Sequence, residues 1–156
     1  VVCRQPDHLA ARDDMALAAM LAGMAFSNSG VGIVHALEYP IGALTHVSHG
    51  EGNGLLLPHV MRYNLPVRLP EFAEIATWLG KDVSGLSGRQ AAEAAVEAVV
   101  GLQHEIGIRT TLSELGLPRA AVGQVAAKAL EIRRLMALNP QTPTLVDLEN
   151  ILLAAY

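Results

Sequence analysis

Aromatic residues are nearly missing from this 156-residue chain, which holds two Phe, one Trp and three Tyr. A core without them must be filled by Ala, Leu, Val, Ile and Met, a mixture that favours closely packed helices. Charge is also scarce, at 17% of residues with a net value of −4, and no basic run interleaved with aromatics occurs. Nucleic acid is thereby excluded as an expected partner. The single cysteine, Cys3, cannot form an internal disulfide, which fits a reducing cytoplasm, the expected location. No apolar run reaches the roughly 18–20 residues that a bilayer span needs, so no membrane partner is expected. Residues Val1 to Asp14 lack the basic-then-apolar layout of a signal peptide. Position 1 is Val rather than Met, and the chain reads as the middle of something. A fragment, or a chain whose front part is missing, is the expectation.

What is present is 51% hydrophobic and long enough to bury one sizeable core. Asp13 to Asn28 places Met15, Ala18, Ala19, Ala22 and Phe26 at helical spacing, with acids in its first turn. Met15, Met20 and Met24 on this segment are expected in the core. A second helix is predicted over Ile33 to Thr45, kinked or restarted by Pro40. The glycine run His49-Gly50-Glu51-Gly52-Asn53-Gly54 then leads into a helix over Leu55 to Tyr63. Further helices are predicted from Pro70 to Leu79, from Arg89 to Ile106 behind an Ser87 N-cap, and from Pro118 to about Leu138. Thr144 and Asp147 form a weak capping box for a last helix to Ala155. Strand alternation, repeats and low-complexity segments are lacking. The reading is a single all-α domain, a helical bundle over residues 1–156.

Five of the six histidines precede residue 60, and four lie between 35 and 59. His35, Glu38, His46, His49, Glu51 and His59 are therefore the candidate metal ligands. His35 with Glu38, and His46 with His49, stand three apart and would share a helix face. Imidazole and carboxylate together suit Fe(II), Zn or Mn better than Ca or Mg. The ordinary alternative is that a histidine beside a helix break is a surface residue. Other chemistries find less support. The glycines do not complete a dinucleotide fingerprint, and neither a Walker-type Gly-Lys-Ser/Thr nor a G-x-S-x-G elbow occurs. Cys3 has no helix start of its own to activate a thiolate.

The stretch LAGMAFSNSGVGIVHALEYPIGALTHVSHGEGNGLLLPHVMRYN, residues 21 to 64, resembles the signature region of the iron-containing (group III) alcohol dehydrogenases. The shared elements are His35 after a Gly-rich break, Pro40-Ile41-Gly42, His49-Gly50 fourteen residues on, Asn53, and Leu57-Pro58-His59-Val60. A looser resemblance continues to the end of the chain. It implies the C-terminal helical domain of a dehydroquinate synthase-like fold, with His35 and His49 as two metal ligands and His46 and His59 as bystanders. It also implies reversible hydride transfer between a small alcohol or aldehyde and NAD or NADP, with Fe(II), or zinc, as Lewis acid. The family's nucleotide-binding α/β domain and its remaining ligands, an Asp and a His four residues apart, have no counterpart here; that domain is an expected partner. A homo-oligomer is expected too.

Two departures from the pattern stand out. Many members carry a second His four residues after the first, close to the nicotinamide, where this chain has Tyr39. Tyr39 is accordingly the candidate catalytic residue, and Tyr39 with His49 the candidate cofactor contacts, although a tyrosine does not carry protons at neutral pH as histidine does. Glu38 stands where a small residue is common. The rival expectation is a non-catalytic helical binding or assembly domain derived from this family; a related zinc domain for glycerol oxidation or sugar cyclisation fits the His-Glu-Tyr-Pro context less well.

Overall fold

The computed structural model describes residues 1–156, which form helices and turns and no strand. The all-α expectation therefore holds. Backbone contacts divide the chain into two compact units, residues 1–31 and 32–156.

The first unit is one helix, α1 (Leu9–Ser29). It begins four residues before the predicted start because the His8 side chain caps it, accepting from the Ala11 amide at 3.1 Å. It stops at Gly30, whose φ of 76° suits glycine. The methionines expected in the core are instead exposed: Met15 at 53%, Met20 at 56% and Met24 at 58%. The reason is local. Apolar residues surround α1 rather than forming one stripe, and residues 1–31 hold no second element against which a stripe could be buried.

The second unit contains α2 (Ile33–Thr45), α3 (His49–Asn64), α4 (Leu69–Trp78), α5 (Gly88–Ile106), α6 (Val122–Glu131), α7 (Arg133–Leu138) and α8 (Leu145–Ala154). Helix α2 packs on α3, α6 and α7; α3 also meets α5 and α8; α4 lies along α5, and α6 against α8. Ile33, Ala36, Leu37 and Ile41 of α2 are fully buried, as are Leu55 and Leu56 of α3. A cluster of Met61, Leu65, Phe72, Ala76, Ala92, Ala95 and Val96 joins α3, α4 and α5, with alanines on α5 letting the helices approach closely. Asn64 and Asn139 exchange two amide hydrogen bonds, of 3.0 and 2.8 Å, and tie the end of α3 to the segment after α7.

Three local expectations need correction. Pro40 does not restart α2, which runs unbroken from Ile33 to Thr45 with Pro40 buried. The glycine run is not a loop, for α3 starts at His49, where Ser48 Oγ caps it by accepting from the Glu51 amide. The helix predicted from Pro118 breaks at Ile132 (φ −82°, ψ 64°), a turn that lets Leu135 and Met136 bury themselves. The Ser87 N-cap forms, within a capping box with Gln90, and so does the Thr144–Asp147 box.

Candidate functional site

The connection between α2 and α3 is three residues long, His46 to Ser48, and begins with His46 in a left-handed conformation at φ 56°. His35, in the first turn of α2, and His49, the first residue of α3, meet although fourteen residues separate them: their ring centroids are 5.2 Å apart at 56°. Tyr39, one turn beyond His35, stacks on His49 at 5.7 Å and 15°. His46 is exposed. His59 lies ten residues further along α3 than His49, about 15 Å along the axis at 1.5 Å per residue.

Glu38 turns inward, 3% exposed, where its Oε2 meets His49 Nδ1 and its charge also acts on His35. Glycines make this room. A Cβ at Gly52 would fall 2.8 Å from Glu38 Cγ, and one at Gly42 would fall 2.7 Å from Glu38 Oε1. No group of three His, Cys, Asp or Glu is arranged to hold an ion within residues 1–156. Two imidazoles are what the chain offers.

The first turn of α3 is held from outside. Arg109 Nε and Nη2 donate to Glu51 Oε1 and Oε2 at 2.7 and 2.9 Å, and this pairing keeps the Glu51 carboxyl below its usual range. Gln103 Nε2 donates to the Gly54 carbonyl, and a Cβ at Gly54 would fall 2.9 Å from Ile108 Cδ1. Asn53, one turn after His49, donates to the His49 carbonyl at 2.8 Å. Its Nδ2 is nearly equidistant from the two ring nitrogens, at 3.2 and 3.1 Å. Such a point in the ring plane would collide with the carbon between them, so the amide lies over the ring face. Asn53 Oδ1 is buried with no partner.

Burial and then the neighbouring His49 hold His35 below the ordinary imidazole pKa, with Glu38 partly offsetting them. Its neutral form, the one that donates a lone pair, is thus favoured. Sequence reasoning counts Glu38 only among the candidate ligands and misses its pairing with His49. Its signal was there: one carboxylate inside the apolar run Ile33–Ile41, with glycines at 42 and 52.

An all-α domain presenting a pair of imidazoles from the starts of two consecutive helices defines the class. Residues 2–156 match the C-terminal part of the Fe-containing alcohol dehydrogenase family, and the chain belongs to that family. The 1,3-propanediol dehydrogenase of Citrobacter freundii is 44% identical over 124 residues, 80% of this chain and 32% of that protein. The lactaldehyde reductase of Escherichia coli (strain K12) is 38% identical over 146 residues, covering 94% and 38% respectively. A solved 1,3-propanediol oxidoreductase superposes with a TM-score of 0.92 at 39% identity, over 96% of this chain and 39% of that one. The chain therefore spans about a third of the length of the curated relatives it matches.

Proposed function

We propose that this chain is the helical, metal-binding part of an NAD(P)-linked alcohol dehydrogenase, in which His35 and His49 supply two ligands to Fe(II) or zinc. The observation that carries the reading is the 5.2 Å spacing of the two rings. Imidazoles binding one ion at about 2.0–2.1 Å and a tetrahedral angle have ring centres roughly 5 Å apart. The lowered pKa of His35 supports it by favouring the neutral donor. Two donors alone do not complete the site, since a catalytic ion takes about three or more protein ligands. The others, with the nucleotide-binding domain, would come from outside residues 1–156.

Bound there, the metal would supply Lewis acidity toward an alcohol or aldehyde oxygen. His35 and His49 orient the site from two helices locked by one short turn. Tyr39, stacked on His49 and 45% exposed, offers a ring face to a flat cofactor and a phenol to a substrate oxygen. Substrates are small alcohols or aldehydes, and NAD or NADP is the hydride carrier.

His49→Ala in the complete protein is expected to lower metal content, read by elemental analysis, and alcohol-dependent NAD(P) reduction with it. Unchanged metal content removes the reading. A second reading, a non-catalytic assembly domain, draws on the exposed Leu17, Met20, Leu21, Met24 and Phe26 of α1. It predicts no metal at all, so the same measurement decides between them.

A further inference from the structure

Glu38 has no part in the reaction outlined above, yet its burial calls for an explanation. Its side chain is 4% exposed, and a carboxylate removed from water that far is costly without a partner. No Lys or Arg pairs with it; the partner is His49 Nδ1. The fold keeps a slot for it, since side chains at Gly42 or Gly52 would run into it. His49 for its part is the first residue of α3, with a side chain 55% exposed.

We propose that Glu38 is a positioning residue, whose carboxylate fixes the His49 ring in the tautomer protonated at Nδ1 and leaves Nε2 as its single lone-pair donor to an ion. The proposal rests on the reading of His35 and His49 as metal donors. An ionised carboxylate only accepts hydrogen bonds, so the proton between the two groups belongs to Nδ1. The stacked Tyr39 and the Asn53 amide over the ring face leave the in-plane position at Nδ1 to Glu38 alone. A histidine ligand held in this way is oriented, fixed in tautomer and more basic, and loss of the outer partner typically costs about 10–100-fold in metal affinity. Glu38 is not itself a third ligand: no three-donor group that includes it is arranged around an ion.

The test compares Glu38→Gln and Glu38→Ala with His49→Ala in the complete protein, with zinc as the probe. Ring ¹⁵N shifts of His49 in the metal-free protein report the tautomer, calorimetry reports the zinc Kd, and thermal unfolding checks the fold. The expected result is Nδ1–H in the parent and a shift toward Nε2–H in Glu38→Ala, with zinc binding weakened about 10–100-fold. Glu38→Gln, whose amide oxygen still accepts, should keep more of both. If the Ala variant does not fold, the Gln variant carries the test through the same two readouts. An unchanged tautomer in a folded variant overturns the proposal, as does unchanged zinc affinity where His49→Ala weakens it. If both Glu38 variants lose zinc equally while the tautomer stays put, Glu38 is a ligand and the proposal falls. If His49→Ala leaves zinc binding intact, the metal reading fails and the proposal with it; a tautomer shift persisting in Glu38→Ala identifies that case.

Discussion

Two histidines of this chain are held neutral by the fold, for different ends. His35 belongs to the imidazole pair. His59 does not, yet burial, with a smaller contribution from Arg62, pushes its pKa down to about 4. A histidine that titrates near 6.5 when unfolded and near 4 when folded favours the unfolded chain once protons are available. Its contribution to stability is present above about pH 6.5 and is lost as the pH falls toward 4. His35 acts in the same direction. The expected outcome is a urea midpoint that drops between pH 6.5 and 4, and a shallower drop in His59→Gln. A variant curve parallel to the parent's would show that His59 is not the group responsible.

Among the elements, α5 and α8 carry complete capping boxes, each satisfying backbone donors that a helix start otherwise leaves bare. Ser87→Ala and Thr144→Ala should each cost about 1 kcal/mol in urea unfolding. Losses within error for both would mean that those helix ends fray and the caps contribute nothing. These boundaries were legible in the sequence because a cap acts through residues three apart. The helices on either side of the imidazole pair were less legible, because glycine is ambiguous there. Gly52 and Gly54 stand before the helix predicted over Leu55 to Tyr63, but they serve inside α3 as points where Glu38 and Ile108 come close. Only the folded neighbours reveal that use. The break at Ile132 left no local signal either, since burial of Leu135 and Met136 produces it. The family resemblance singled out His35, Tyr39 and His49 as candidates, and the fold brings these three together. It could not say where the Glu38 carboxylate goes, because that depends on the slot between two helices.

For the molecule as a whole, every buried apolar residue lies between Ile33 and Ala155. Residues 32–156 therefore hold a complete core of their own, and deleting residues 1–31 should leave the helical circular dichroism and thermal midpoint of the remainder nearly unchanged. A large drop in midpoint would show that α1 supports that core. With only two imidazoles in place, residues 1–156 alone should bind zinc weakly and reduce no NAD(P) with alcohol. Robust turnover by this segment would overturn the division of the site proposed above.

The slot that receives Glu38 has a consequence for how this chain can change. Position 52 tolerates a methyl only if position 38 is shortened, and position 38 keeps its carboxylate only while 52 stays bare. Substitutions at the two sites are thus epistatic. Gly52→Ala should be tolerated far better in a Glu38→Ala background than alone, and a double-mutant cycle on unfolding free energy measures the difference. A lineage leaving this arrangement has an easier first step at 38 than at 52, and once 52 has acquired its methyl the way back is closed until that methyl is lost.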